Sequence, residues 1–139
     1  MMKFRRVISA HLMAVLLGSL VLFVGVEMTV FGPIGFLQGL GKWIGGILIF
    51  FVLAIASLPA GLVLRALVGR LKTYPLFGAM LSGAVLGFVL MFVLHPAMYP
   101  GVSFWTDPVA LSLVHVLAGL CGGAVWFAIE FGTEGAKIG

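Results

Sequence analysis

The chain is poor in the polar residues from which soluble proteins and membrane active sites are built. Its 139 residues include no asparagine, one glutamine, six serines and four threonines, and only 9% are charged. A soluble domain carries about 25% charged residues, so this class is excluded. Enzymes and transporters usually hold a substrate within the membrane with a group of polar side chains. Their scarcity predicts a protein without catalytic residues.

Cysteine and metal-binding patterns are equally sparse. Cys121 is the single cysteine, and we expect it to act as a small buried hydrophobe in an apolar run. The sequence has no C-x-x-C, C-x-x-C-H or H-x-x-x-H pattern. Axial haem ligation needs two histidines at matched depth, whereas His95 and His115 are predicted to differ by about 10 Å along the bundle. We therefore expect no cofactor and no metal site.

Apolar sequence is what the chain has in excess. Hydrophobic residues make up 63% of it, and the mean hydropathy is +1.28. A chain of this length has too little interior to bury so much apolar surface, so its solvent must be lipid. Four apolar runs of about 20 residues match a hydrocarbon core roughly 30 Å thick. They predict one all-α integral membrane domain, with transmembrane helices at about 7–30, 43–64, 74–95 and 108–130.

The first run follows basic residues, as a signal peptide does, but it is long and no A-x-A-like cleavage site follows it. We interpret it as a retained helix.

Basic residues cluster before the first helix and between the second and third: Lys3, Arg5, Arg6, Arg65, Arg70 and Lys72. The positive-inside rule then places both termini in the cytoplasm, most simply in a bacterial inner membrane. Because the clusters flank apolar runs, they are topology signals, and we expect no nucleic-acid partner.

Small residues recur at helical spacings and predict close helix packing. They are Ala14, Gly18 and Gly25 on the first helix, Ala79, Gly83 and Gly87 on the third, and Gly119, Gly122 and Gly123 on the fourth. Gly41 and Gly45 repeat the spacing where the second helix begins. Apolar helices are glycine-rich in general, but stripes on several helices favour a compact glycine-rich bundle. They also suit contact with another membrane protein or with a second copy.

The fourth helix gathers its unusual residues on one side. At 100° per residue they fall within an arc of about 80°: His115, Gly119, Gly122, Trp126 and Glu130. Leu113 and Leu117 lie opposite, where we expect lipid. His115 is roughly 10 Å inside the helix, where an ionisable group is costly and often functional. The alternatives are a functional His115 and a neutral histidine bonded to a neighbouring helix.

The other ionisable residues have simpler interpretations. His11, one turn inside the first helix, is interpreted as an interfacial histidine. Glu130 is interpreted as a solvated carboxylate, with a pair to His11 or Arg6 as the alternative. Glu27 lies about 160° from His11 around the first helix, away from its small residues. Near the outer boundary it would snorkel, meet His95 or contact another protein. His95 precedes a proline and reads as a helix-boundary residue.

These features favour a non-catalytic accessory, assembly or stabilising subunit of a larger membrane complex. Its expected partners are the lipid bilayer and another membrane protein, or a second copy joined through small-residue faces. An alternative is a small oligomeric transporter or channel whose path is lined by His115 and Glu130. A haem- or metal-binding redox subunit is a second alternative, with no motif behind it.

Overall fold

The computed structural model describes residues 2–68, 70, 75–98 and 108–132. These residues form five α-helices: α1 (Met2–Phe31), α2 (Gly35–Gly45), α3 (Ile47–Val68), α4 (Pro75–Met98) and α5 (Pro108–Phe131). A short 3-10 helix (Gly32–Ile34) joins α1 to α2. The described ranges contain no strand, which confirms the predicted all-α membrane bundle.

The helices are long and apolar enough for a multi-pass membrane protein. Three described segments meet this criterion: Phe4–Gly45, Ile47–Leu67 and Val109–Phe131. In α4, which has 24 residues, the described apolar segment is shorter, Leu76–Val89. At 1.5 Å per residue, α4 extends for about 36 Å and therefore also has the length of a span.

Helices α1 and α2 form a helical hairpin with a tight reversal. Gly32 has a φ of 63°, a left-handed conformation that suits glycine, and Pro33 follows it. We expected residues 32–42 to be an outer loop and the second helix to begin at Trp43. This was wrong, because α2 begins at Gly35 and lies against α1.

Glycine is the physical reason for the difference. A Cβ on Gly39 would lie 2.6 Å from Val24 Cα, and one on Gly35 would collide with the Glu27 carbonyl oxygen. The glycines that resemble a loop in the sequence therefore allow two antiparallel backbones to touch. The chain then continues through Gly46, whose N–H donates to the Lys42 carbonyl at 2.9 Å, into α3.

Within the bundle, α5 packs between α1 and α4, while α1 also contacts α2 and α3. The contact between α3 and α4 is sparse by comparison. Arg6 Nε donates to the Ile129 carbonyl at 2.9 Å, which places the start of α1 beside the end of α5. We call this the basic end of the bundle, because Arg5, Arg6 and Arg65 belong to its helices there. The opposite end, at Gly32–Ile34, is the turn end.

Among the described residues, two apolar clusters hold the helices together. Towards the turn end, Phe23 and Phe50 meet edge to face with ring centroids 5.1 Å apart, beside Val26 and Leu111. Towards the basic end, Ala10, Ala79 and Trp126 pack together. Leu113 and Leu117 of α5 are exposed at the surface of the bundle, where lipid was expected.

Candidate functional site

An elongated cavity lies among α1, α3, α4 and α5, with a volume of about 270 Å³. We call it the interhelical cavity. Its walls are mainly apolar, and glycine and alanine form nearly half of the lining. The polar side chains at its walls include His11, Ser19, Ser57, Ser82 and His115.

One wall of the cavity is the close contact between α4 and α5. A Cβ on Gly83 would collide with the Gly119 carbonyl oxygen, and one on Gly119 with the Gly83 carbonyl oxygen. A Cβ on Gly123 would likewise collide with the Ala79 carbonyl oxygen. The two backbones therefore touch along two helical turns, as small-residue packing in lipid allows.

A second row of small residues on α5 contacts α1. A Cβ on Gly18 would lie 3.1 Å from the Ala118 carbonyl oxygen, and one on Gly122 would lie 3.1 Å from the Ala14 carbonyl oxygen. The neighbouring rows of α5 thus serve two different helices. Since α1 and α4 are both drawn onto α5 while α3 contacts α4 only sparsely, space remains in the middle of the bundle.

Not every predicted small residue faces another helix backbone. Gly25 faces a side chain, since its Cβ would lie 2.6 Å from Val114 Cγ1. Gly41 and Gly45 have open space where a Cβ would be, so their predicted role in packing was wrong. Cys121, expected to be buried, is exposed on α5.

His11 joins α1 to α3. Its Nε2 lies 2.9 Å from the Ala54 carbonyl oxygen and 3.0 Å from Ser57 Oγ. A carbonyl oxygen only accepts, so Nε2 carries the proton and donates. The ring rests on Gly61, where a Cβ would lie 2.7 Å from His11 Cε1. His11 is therefore buried between two helices, and its location near the membrane interface stays a prediction.

His115 is 3% exposed and lies on the cavity wall. Its Nδ1–H donates at 2.8 Å to the Leu111 carbonyl oxygen, one turn earlier in α5. In the neutral ring, this leaves the acceptor lone pair on Nε2. This bond lies within α5. The backbone of His115 also matters, since a Cβ on Gly87 would collide with its carbonyl oxygen.

Glu27 is 1% exposed and forms an ion pair with Lys42, whose Nζ lies 2.6 Å from Glu27 Oε1. It does not snorkel, because α2 folds back over it. The side chain of His95, a partner that we considered, lies outside the described residues. Lys42 keeps 53% of its side chain exposed, so the pair reaches from the buried hairpin to the surface.

Glu130 is buried at the basic end and bonds to Arg65 Nε. We expected a solvated carboxylate, or a bond to His11 or Arg6. Arg6 instead donates to the Ile129 carbonyl, where a cation suits the carboxyl end of α5. The pair Glu130–Arg65 therefore fastens α5 to α3 at the end where both helices stop.

The predicted polar residues thus occupy three separate places. His11 and His115 line the interhelical cavity, Glu27 lies in the α1–α2 hairpin, and Glu130 lies at the basic end. Within the described ranges, no three His, Cys, Asp or Glu residues lie close enough together to hold a metal ion. The arrangement offers apolar space with a few bonded polar groups, and no described cluster for acid–base or metal chemistry.

Sequence reasoning missed the serines and Trp43. Ser57 Oγ lies 3.2 Å from the Ala54 carbonyl, next to His11. Trp43 Nε1–H donates to the Leu16 carbonyl at 3.1 Å and to Ser19 Oγ at 3.0 Å. A serine in an otherwise apolar helix was the available signal, although a single serine does not reveal which helix it faces.

No protein-family model, curated protein or solved structure matches the chain. Function is therefore argued from the geometry of the cavity and of the buried ionisable groups.

Proposed function

We propose that the protein is a non-catalytic accessory subunit that assembles with, or stabilises, a larger membrane complex. One observation carries the proposal. Among the described residues, four ionisable side chains are buried, His11, Glu27, His115 and Glu130, and each bonds to another group of this chain. Three of these bonds, those of His11, Glu27 and Glu130, join two helices and so serve to fix helix positions. The second oxygen of each buried carboxylate, Glu27 Oε2 and Glu130 Oε2, accepts no hydrogen bond from the described residues.

The same geometry gives little support to a proton-driven carrier. Such a carrier needs ionisable groups that pass a proton through the membrane. His115 and Glu130 are separated by about 22 Å along α5 at 1.5 Å per residue. His115 lines the interhelical cavity, whereas Glu130 is bonded to Arg65 at the basic end. The two residues proposed for a transport path therefore do not share a site.

The apolar surface of α3 also supports an accessory role. Only 11% of the residues in its most apolar segment are buried inside the bundle. Leu48, Ile49, Val52, Ile55 and Val63 are all more than half exposed. A helix that contributes so little to the core of its own protein retains a long apolar face for lipid or for a larger membrane partner.

The experiment compares variants that remove titration and keep hydrogen bonding. We expect His115→Gln and Glu130→Gln to support growth and complex assembly in a strain that lacks the gene. The purified chain in liposomes should neither move solutes nor dissipate a proton gradient. Ser112→Ala, on the same helix, is the control for the effect of any side-chain substitution in α5. Transport by the isolated chain that either glutamine variant abolishes would overturn the proposal in favour of a carrier.

A further inference from the structure

We propose that the interhelical cavity binds one acyl chain of an anionic phospholipid, taken from the leaflet at the basic end of the bundle. The inference does not depend on the accessory role, because lipid binding and partner binding are measured separately. It rests on the size of the cavity, the neighbouring cavity at its side, its apolar walls and the charge beside one end.

The cavity has the dimensions of a hydrocarbon chain in one leaflet. Along α1 it extends from His11 to Leu22, and along α5 from Trp126 to His115. Each stretch covers about 16 Å at 1.5 Å per residue. This is about half of a hydrocarbon core roughly 30 Å thick, which is the depth of one leaflet.

The mainly apolar walls favour an apolar ligand. Apolar cavities of about 150 Å³ stay dry and take up apolar molecules, and this one is larger. Two of its serines bond within their own helices, since Ser19 donates to the Leu16 carbonyl at 2.8 Å and Ser57 to the Ala54 carbonyl at 3.2 Å. An empty space of this size would leave its lining without dispersion contacts, which a hydrocarbon chain restores.

The proposed route for the acyl chain is from the side. A second cavity of about 320 Å³ lies between α3 and α4. Leu64, Ser82 and Leu86 line both cavities, so the two spaces are neighbours on either side of these three residues. The outer part of the second cavity is lined by exposed residues of α4, Leu81 and Val85. The sparse α3–α4 contact beside these residues is the route that the proposal assigns to an acyl chain from the surrounding lipid.

Charge at the basic end selects the headgroup. The cavity ends at His11 and Leu64, and Arg65 follows Leu64 directly. The described residues of this end include Arg5, Arg6, Arg65 and Arg70 against one carboxylate, Glu130. Basic clusters beside gaps between transmembrane helices attract anionic headgroups, so a phosphate at this end is favoured while its acyl chain fills the cavity.

The test uses the full chain in nanodiscs that contain phosphatidylglycerol and phosphatidylcholine. In one arm the phosphatidylglycerol carries a photoreactive diazirine in the middle of an acyl chain, and in the other arm the phosphatidylcholine carries it. Peptide mass spectrometry then locates the cross-links. We expect the phosphatidylglycerol probe to label the cavity residues Leu22, Phe50 and Leu86 above the exposed residues Leu113 and Leu117. The phosphatidylcholine probe should label mainly the exposed residues.

A pair of matched variants blocks or spares this route. Ser82→Phe adds a phenyl ring where the two cavities adjoin. Because the ring occupies space that the acyl chain needs, we expect cavity labelling to fall at least about fivefold. Ser9→Phe makes the same change at an exposed position of α1 and should leave labelling unchanged. Labelling confined to exposed residues in the unmodified chain would overturn the proposal, even if Ser82→Phe failed to fold. Equal cavity labelling by both probes would overturn the headgroup assignment.

Discussion

Arg65 and Glu130, the last charged residues of α3 and α5, bond to each other across 65 residues of sequence. The carboxylate is buried, while 43% of the arginine side chain is exposed. The pair therefore connects the sparsely packed helix α3 to α5, which packs against both α1 and α4. This ion pair fixes the position of α3 relative to the interhelical cavity at the basic end.

Breaking this pair on one side should cost more than removing it altogether. We expect Arg65→Gln to lower the free energy of unfolding by about 1–3 kcal/mol, because it leaves a buried carboxylate without its donor. The double variant Arg65→Gln, Glu130→Gln should regain part of that loss. Thermal unfolding in detergent measures both, with Arg5→Gln as the exposed control. A double variant less stable than Arg65→Gln would contradict the assignment.

The α4–α5 contact predicts a contrast between two faces of the bundle. Gly83→Leu and Gly119→Leu should each lower the free energy of unfolding by about 1–3 kcal/mol or more, because the leucine side chain forces the backbones of α4 and α5 apart. Leu117→Ala, on the exposed face, should change the stability much less. Unfolding in detergent is again the measurement. Equal losses at the three positions would refute the assignment of faces.

The α1–α2 hairpin permits a test with two glycines of one helix. A Cβ on Gly39 would lie 2.6 Å from Val24 Cα, whereas a Cβ on Gly41 would meet open space. Gly39→Ala should therefore destabilise the protein. Gly41→Ala should be neutral or stabilising by up to about 1 kcal/mol, since alanine favours helix over glycine. If both substitutions stabilised the protein alike, α2 would not pack on α1 as described.

The sequence predicts much of this architecture and less of its polar contacts. Apolar runs of span length identify the helices because lipid requires every backbone group to bond within its own helix. The order of contacts is harder to predict. Gly35 and Gly39 resemble loop residues in the sequence. Only the fold shows that Gly35 faces Glu27 and Gly39 faces Val24.

The partners of buried charges depend on tertiary placement. Nothing near Glu130 in the sequence points to Arg65, and Glu27 meets Lys42 only because α2 folds back. Helical periodicity placed His115 on the packing side of α5, and the structure puts it on the cavity wall. The cavity itself was not predictable, because it results from the spacing between α3 and α4.

The positive-inside rule predicts the orientation of the bundle in the membrane. Reporter fusions after Lys72 and at the carboxyl terminus should be active in the cytoplasm. Fusions at 101–104 should be active on the external side. The Arg6–Ile129 bond places the start of α1 beside the end of α5, as an even number of spans requires. A cytoplasmic signal at 101–104 would refute the four-span arrangement.

The accessory role is tested most directly by purification at a measured ratio. The chain carries a tag at its own genomic locus, is extracted in a mild detergent, and its co-purifying membrane proteins are quantified by mass spectrometry. We predict one larger membrane protein at a fixed molar ratio to the chain, unchanged in a second mild detergent and in the His115→Gln variant. Recovery of the chain alone or only with itself, together with transport by the purified chain in liposomes, would contradict the accessory role.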